Sequence, residues 1–312
     1  MSNRLTISAS PHIHSGRSTR RIMLDVILAL LPATVAGCII FGWRALLVVA
    51  LTVASSVGFE ALFNLITKKI TKKKQTVGDL SAVVTGLLLA LNLPANVPLW
   101  QCVVGALFAI VVVKCLFGGL GCNIVNPAIT ARVFMLVAFG SMAKAAFPTV
   151  VDTVAGATPL TSEAAVPLTD LLLGLHGGAI GETCAVALLV GFVYLLVRRV
   201  ISWHLPVVFI GTVFAASLCM EGFDFGAALA AVLSGGLLIG AIFMATDYVT
   251  SPATAWGKVI FGVGAGLITF MIRYFGVYPE GVSFAILLMN ILTPFIDSWT
   301  KHKVYGKGGK QA

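Results

Sequence analysis

Apolar stretches separated by short polar segments follow one another along almost the whole chain. A helix that crosses a bilayer needs about 20 mostly apolar residues, and ten stretches come close to that length. They lie near residues 22–42, 44–66, 78–93, 97–117, 127–146, 183–201, 204–220, 225–245, 254–275 and 281–298. The third, fifth and tenth are short or contain polar residues, so we expect those spans to be broken or half-buried. The pattern predicts an all-α polytopic membrane protein with about ten transmembrane helices.

Composition narrows the class of protein further. Hydrophobic residues make up 58% of the 312 residues and charged residues 11%, whereas a soluble domain has about 25% charged residues. A soluble globule of this composition would expose large apolar patches, which excludes a soluble enzyme, a disordered chain and a small disulfide scaffold. None of the six cysteines forms a Cys-x-x-Cys pair, and most lie in apolar stretches, where cysteine behaves as a small hydrophobic residue. A cluster-ligand role for Cys115 and Cys122 stays open; no metal site and no catalytic residue are predicted.

The net charge of +9 would suggest a nucleic-acid partner for a soluble protein. In a membrane protein, lysine and arginine instead concentrate in cytoplasmic loops. With the N-terminus inside, 17 of the 21 lysines and arginines fall on the cytoplasmic side of the ten spans. We therefore expect membrane lipid and no nucleic acid as a partner, and both terminal segments (1–21 and 299–312) in the cytoplasm. The segment 147–182 then lies outside, and it contains four acidic residues but no lysine or arginine.

A short internal repeat suggests two related five-helix halves, 22–146 and 183–298. At an offset of 125 residues, Asn126–Ala131 aligns without a gap to Ser251–Trp256, and a glycine-rich stretch precedes each copy. Both copies place a proline beside a polar residue at the edge of a span. Interrupted helices at matching positions of two halves mark the binding site in many transporters, whereas a proline in the first turn simply begins a helix. The pattern is compatible with either interpretation.

Acidic side chains inside or beside apolar stretches are candidates for function, because an ionisable group in a membrane is costly. Asp247 is the strongest of them, since it lies in Thr246–Pro252 at the interrupted end of the eighth span. Others lie near span ends, where they can reach lipid headgroups or form local pairs. The complete set is Asp25, Glu60, Asp79, Asp247 and Asp297.

The outside segment contains the run Asp152-Thr-Val-Ala-Gly-Ala-Thr158-Pro-Leu. Judged by residue type alone, this is an exposed turn. The run resembles the flavinylation motif Asp-x-x-(Ser/Thr)-Gly-Ala-Thr of membrane redox pumps, with alanine in place of the usual Ser/Thr before the glycine. The resemblance implies that a flavin transferase attaches FMN to Thr158 through a phosphoester. Asp152, Gly156 and Ala157 would form the rest of the recognised motif.

The motif is accompanied by two others, Gly121–Ala128 and Phe243–Asp247. Together they resemble the NqrB/RnfD family, which comprises the D subunits of Rnf complexes and the B subunits of sodium-translocating NADH:quinone reductases. The resemblance implies a subunit of an ion-pumping redox complex in a bacterial or archaeal cytoplasmic membrane. Such a complex couples electron transfer between ferredoxin and NAD to Na⁺ or H⁺ movement, and the other Rnf subunits are the expected partners.

Two flavins follow from the same resemblance: covalent FMN and non-covalent riboflavin. No Gly-x-Gly-x-x-Gly after a strand and no cysteine-rich cluster motif occurs, so we expect no complete active site in this chain. If the two proline-containing loops meet at the centre, Asn126, Thr246 and Asp247 are the expected riboflavin contacts. The alternatives are that the loops satisfy each other or line an ion path. The alternative for the whole protein is a channel or transporter of the same architecture without covalent flavin.

Overall fold

A computed structural model describes residues 18–71, 77–140, 167–276 and 281–301. These ranges fold into helices, and no strand forms among them. Twelve helices occur within them: α1 (Thr19–Phe41), α2 (Trp43–Thr71), α3 (Ser81–Leu91), α4 (Leu99–Cys115), α5 (Pro127–Ala138), α6 (Leu168–Leu173), α7 (Ala185–Val197), α8 (His204–Met220), α9 (Phe225–Leu233), α10 (Leu237–Met244), α11 (Ala255–Phe275) and α12 (Val282–Thr300). The C-terminal parts of α4 (Phe108–Cys115) and α10 (Gly240–Met244) are π-helical.

Helix length divides these elements into two groups. Among the described residues, α1, α2, α11 and α12 are long and apolar enough to cross a membrane, and α9 and α10 together form a fifth candidate that is bent by 65°. Five shorter apolar helices have 10–17 residues: α3, α4, α5, α7 and α8. An 11-residue helix rises only about 16 Å, whereas the hydrocarbon core is about 30 Å thick. The all-helical polytopic class is confirmed, and several helices are too short to cross the hydrocarbon core alone.

The sequence locates the breaks only in part. The third and fifth stretches indeed form the short helices α3 and α5, with 11 and 12 residues. The tenth stretch is not broken, because α12 runs through Pro294 over 19 residues, but 44% of it is buried, which fits the half-buried alternative. The hydroxyl of Thr293 donates a 3.0 Å hydrogen bond to the carbonyl of Met289, in the turn that the proline disturbs.

The eighth stretch, expected as one helix over 225–245, is broken between α9 and α10. Gly235 adopts a φ of 65° in this break, a left-handed conformation that favours glycine. The guanidinium of Arg273 donates to the carbonyls of Ala231 and Ser234 at 2.5 and 3.1 Å. The arginine therefore replaces the hydrogen bonds that the last turn of α9 loses at the break.

The carbonyl groups at the C-terminal end of α3 accept hydrogen bonds from a segment that is distant in sequence. The backbone N–H groups of Ile180 and Gly181 donate to the carbonyls of Leu93 and Leu91 at 3.1 and 2.8 Å. Gly181 permits this approach, since a Cβ there would lie 2.6 Å from the Cβ of Leu91. The end of the predicted outside segment, 147–182, is thus packed into the protein beside the end of α3.

From the helix packing we infer an inverted pseudo-twofold relation between the two predicted halves. α1 packs against α7, α5 packs against α12, and the contacts of α2 with α3 and α4 match those of α8 with α9 and α11. α1 and α7 are antiparallel, because Asp25 near the start of α1 binds Arg198 at the end of α7. Leu80 before α3 and Gly235 before α10 both have a φ of 65°.

The inferred arrangement gives a different alignment of the halves from the sequence repeat. The 125-residue offset pairs the fourth span with the eighth, whereas the contacts match α3 with α9–α10 and α4 with α11. In the alignment given by the contacts, Asn126–Ala131 and Ser251–Trp256 are not equivalent positions.

Tryptophans mark two levels of the molecule. All five are at helix ends and are at least 55% exposed. Trp203, Trp256 and Trp299 lie at the ends of α8, α11 and α12 on one side, whereas Trp43 and Trp100 lie at the starts of α2 and α4 on the other. Tryptophan concentrates at membrane–water interfaces, so the two groups indicate where the two lipid headgroup layers lie.

The close contact between α1 and α7 yields a stability prediction. A Cβ on Gly191 would lie 2.3 Å from the backbone oxygen of Ala29, so Gly191→Val must push the two helices apart. We expect a loss of about 1–3 kcal/mol and a lower midpoint in a thermal unfolding assay in detergent. Gly211→Val is the control, because nothing lies within 4 Å of a Cβ at that position of α8. Equal midpoints for the two variants would contradict the close packing of α1 on α7.

Candidate functional site

The predicted site residues fall into two groups in the structure. Thr158, Asp152, Gly156 and Ala157 lie outside the described residues, so the covalent FMN site stays a prediction. Asn126, Thr246 and Asp247 lie together in the wall of one cavity. The expectation that these three residues from distant parts of the chain meet is therefore confirmed.

The cavity has a volume of about 270 Å³ and lies where the ends of several short helices converge. Its walls are mainly apolar side chains from α1, α3, α7 and α10. A few polar groups face it: Ser81, Thr85, Lys114, Asn123, Asn126, Thr246 and Asp247. Apolar walls with a few convergent polar groups are typical of small-molecule and cofactor sites.

Asn126 holds the start of α5. Its side-chain oxygen accepts hydrogen bonds from the N–H groups of Ala128 and Ile129 at 3.0 and 3.4 Å, and Pro127 occupies the first turn. Its side-chain nitrogen donates to the carbonyl of Met244 at 3.1 Å. Pro127 begins α5, as one of the two interpretations of the proline motif predicts, and Asn126 also ties α5 to the end of α10.

The second loop is anchored differently. Pro252 precedes α11 without being part of it, and Thr254 caps the helix by accepting a 3.0 Å hydrogen bond from the N–H of Gly257. The amide of Asn290 on α12 lies 3.1 Å from both the carbonyl oxygen of Thr250 and the backbone nitrogen of Asn126. The two loops are thus joined through α12, and much of their exposed backbone is satisfied by the protein itself.

Asn123 is a cavity residue that the sequence interpretation misses as a binding candidate. Its side-chain oxygen is buried and has no hydrogen-bond partner in the part of the chain that the structure describes. Leaving a buried acceptor unsatisfied is costly, so a ligand N–H in the cavity would stabilise it. The feature of the sequence that could have indicated Asn123 is its position in the run Gly121–Ala128, three residues before Asn126.

Asp247 faces the cavity from the loop between α10 and α11. Its carboxylate accepts a 3.1 Å hydrogen bond from the hydroxyl of Thr250. Desolvation by the surrounding helices raises the pKa of the Asp247 carboxyl, and hydrogen bonds from Thr250 and nearby backbone groups act in the opposite direction. The side chain of Thr246 donates to the carbonyl of Ile242 at 2.6 Å, so its hydroxyl is already engaged.

A buried ion pair forms the wall of the cavity near α3 and α4. The ammonium of Lys114 lies 2.7 Å from a carboxylate oxygen of Glu60 and 2.6 Å from the hydroxyl of Ser81. Lys114, counted from the sequence as a charge on the cytoplasmic side, is only 1% exposed. Pairing offsets part of the desolvation cost of two charges at this depth.

A second buried network lies at the end of α3. Arg132 on α5 donates to Glu182 at 2.6 Å and to the side-chain oxygen of Asn92. Glu182, expected in the outside loop, is 2% exposed. Asn92 also donates to the carbonyl of Leu88 at 2.7 Å, so it joins the end of α3 to Arg132.

The other polar candidates have structural partners. Asp25 binds Arg198 at 3.2 Å and the hydroxyl of Tyr194 at 3.1 Å, and Asp297 accepts from the N–H of Ala253 at 3.0 Å. Among the described residues, no three histidine, cysteine or acidic side chains come together in a way that could hold a metal ion. All six cysteines carry free thiols.

Comparison with known proteins places this architecture in a family. The model of the NQR2, RnfD, RnfE family matches residues 6–306. The D subunit of the Na⁺-translocating ferredoxin:NAD⁺ oxidoreductase complex of Acetobacterium woodii is 48% identical over 97% of this chain and 95% of its own length.

Two further relatives have similar coverage. The D subunit of the proton-translocating ferredoxin:NAD⁺ oxidoreductase complex of Clostridium ljungdahlii is 39% identical over 97% of both chains. The D subunit of an ion-translocating oxidoreductase complex of Stutzerimonas stutzeri is 38% identical over 94% of both chains. Since the matches include both helical halves and all segments that line the cavity, the chain belongs to the NQR2, RnfD, RnfE family.

Proposed function

We propose that the chain is the D subunit of an ion-translocating ferredoxin:NAD⁺ oxidoreductase complex. The support is the family match over residues 6–306 and the names of relatives that are 48% and 39% identical over nearly their full length. One of those relatives is named for Na⁺ and the other for protons, so the transported ion is left open. The other subunits of the complex are the partners, and the catalytic sites for ferredoxin and NAD lie on them.

The proposal includes covalent FMN on Thr158, attached by a flavin transferase. It is supported by the run Asp152–Thr158 in a segment that joins the two halves, and by Gly156 and Ala157, whose small side chains let the loop enter a transferase. A flavin supplies one- and two-electron chemistry, while the protein supplies its position and surroundings. The chain then contributes an electron-carrying site rather than a complete active site.

We further propose that the cavity binds riboflavin. The observation that carries this is the unpartnered oxygen of Asn123 inside a mainly apolar cavity. An isoalloxazine ring offers an N–H donor to that oxygen, acceptor atoms to other donors and two apolar faces to the walls. The volume of about 270 Å³ is near the lower end of the range for small-molecule sites, which suits a planar ring. Asn126, Thr246 and Asp247 would then hold the edge of the ring or the wall beside it.

The protein is assigned to a bacterial or archaeal cytoplasmic membrane, surrounded by lipid and by other subunits. Both termini are assigned to the cytoplasm and Thr158 to the outside. This orientation rests on the bias of lysine and arginine. Cavity-lining residues such as Ile22 and Val200 lie at the end of the molecule where α1 begins and α7 ends, so the cavity would be nearer the cytoplasmic face.

Thr158→Ala should abolish covalent flavin, because it removes the hydroxyl that forms the phosphoester. Fluorescence of the denatured band and the mass of the intact chain both report the adduct when the chain is purified from a host that contains the transferase. Thr161→Ala, in the same segment, is the matched control and should keep the flavin. A fluorescent Thr158→Ala band would refute the assignment.

Asn123→Ala should lower the affinity for non-covalent riboflavin by about tenfold or more, because one buried hydrogen bond is lost. Riboflavin extracted from the purified complex is the measurement, and FMN on Thr158 should be unchanged. Asn96→Ala, at an exposed asparagine, is the control. Asp247→Ala changes another residue of the cavity wall and tests riboflavin binding there independently. Full riboflavin retention in both cavity variants would exclude the cavity as its site.

Orientation can be tested with reporters that are active on one side of the membrane only. A reporter fused after Lys310 should be active in the cytoplasm, and one inserted near Glu163 should be active outside. Because one missing span inverts everything that follows it, the opposite result at either position would overturn the assignment.

A further inference from the structure

A buried arginine separates the cavity from the opposite end of the molecule. Asn126, in the cavity wall, immediately precedes α5, and Arg132 lies six residues further along the helix. At 1.5 Å per residue the separation along the helix axis is about 9 Å. The side chain of Arg132 is 5% exposed. Arg132 is therefore a buried charge beyond the cavity wall, in the direction in which α5 ends.

The guanidinium of Arg132 is held between oxygen atoms. It donates to Glu182 at 2.6 Å and to the side-chain oxygen of Asn92. Glu182 is fixed in turn, because the adjacent Gly181 is hydrogen-bonded to the end of α3. We call Asn92, Arg132 and Glu182 the Arg132 network.

The break between α9 and α10 leaves the space for this network. A Cβ on Gly236 would lie 2.6 Å from a carboxylate oxygen of Glu182 and 3.3 Å from a guanidinium nitrogen of Arg132. A larger residue at this position would displace the ion pair. The network therefore lies where four parts of the chain meet: the end of α3, the middle of α5, the segment before α7 and the start of α10.

A carboxylate and an amide oxygen are the ligands that hard cations such as Na⁺ prefer. In this protein a tethered cation, the guanidinium, occupies them. We propose that Arg132 fills a cation site and thereby closes the centre of the subunit to Na⁺ and protons. Arginine stays protonated at all relevant pH values, and fixed positive groups exclude cations from other membrane pores.

The proposal rests on the chain belonging to an ion-translocating complex and not on a flavin in the cavity. A complex that builds an ion gradient loses it through any passive route for cations. Closing the centre of this subunit lets a cofactor enter the cavity from one side without opening such a route. It also implies that the transported ion crosses elsewhere.

The test uses the full chain in liposomes, with radioactive Na⁺ as the probe and an imposed potential as the driving force. The wild-type chain should take up Na⁺ no faster than protein-free liposomes. Arg132→Gln leaves the carboxylate of Glu182 without its cation, so Na⁺ uptake should rise by about tenfold or more. Arg132→Lys keeps the positive charge and should stay near wild type.

Changing the other partner separates electrostatics from packing. Glu182→Gln keeps the arginine and removes the cation ligand, so it should not conduct, even though it also breaks the ion pair. The double variant Arg132→Gln with Glu182→Gln should conduct less than Arg132→Gln alone. Equal conduction by Arg132→Gln and Glu182→Gln would show that any disturbance of packing opens the chain, and would overturn the proposal.

A binding measurement covers the case of a poorly reconstituted variant. In detergent, Na⁺ should raise the unfolding midpoint of Arg132→Gln relative to choline, because a ligand stabilises the state that binds it. The wild-type chain should show no such difference. A conducting wild-type chain, or a variant midpoint unaffected by Na⁺, would overturn the proposal. Riboflavin content should be unchanged throughout, so failure here and failure of the flavin site are distinguishable.

Discussion

A bilayer offers no water to hydrogen-bond the backbone, so every helix that ends within it must find partners in the protein. This protein has several such ends, and each is completed by a specific group. Arg273 donates hydrogen bonds to the last carbonyl groups of α9. Asn126 precedes the first turn of α5 and donates to the end of α10. The backbone around Gly181 donates to the last carbonyl groups of α3. The polar residues of the interior are concentrated at these ends for that reason.

The same constraint creates the candidate site. Where short helices end near one another, the chain cannot fill the space as uniformly as side-by-side helices do. The cavity lies at such a place, between the end of α10 and the start of α5. Most of its polar groups are already committed to backbone or to the Lys114–Glu60 pair. Among the described residues that line the cavity, the side-chain oxygen of Asn123 is buried without a hydrogen-bond partner and therefore points toward a ligand.

Apolar periodicity is sufficient to find the membrane-embedded helical regions, because burial in lipid demands long apolar stretches whatever the tertiary structure. It cannot distinguish a charge in a loop from one inside the protein. Lys114 therefore counts as a cytoplasmic charge in the sequence, although Glu60, 54 positions away, pairs with it in the interior. Glu182 falls in the outside segment for the same reason, because its partner Arg132 is distant in sequence.

Local similarity misleads the repeat alignment in another way. Asn126–Ala131 and Ser251–Trp256 resemble each other because each contains the start of a helix, α5 in one case and α11 in the other. Position in the pseudo-twofold is instead fixed by packing, and by the matching left-handed residues Leu80 and Gly235. In contrast, the clustering of Asn126, Thr246 and Asp247 is predictable, since interrupted spans must bring their polar ends to a shared interior.

The pseudo-twofold arrangement makes the difference between the two ends of the molecule informative. In a symmetric protein, the end of α3 would border a cavity like the one beside the end of α10. Instead, the backbone N–H groups of Ile180 and Gly181 bind the carbonyls at the end of α3, and Glu182 binds Arg132 beside it. The segment that fills this place follows the connection between the halves. The segment Ile180–Glu182 therefore makes the surroundings of α3 different from those of α10. The cavity lies beside the end of α10, whereas a buried ion pair lies beside the end of α3. The two ends of this pseudo-symmetric protein therefore differ chemically.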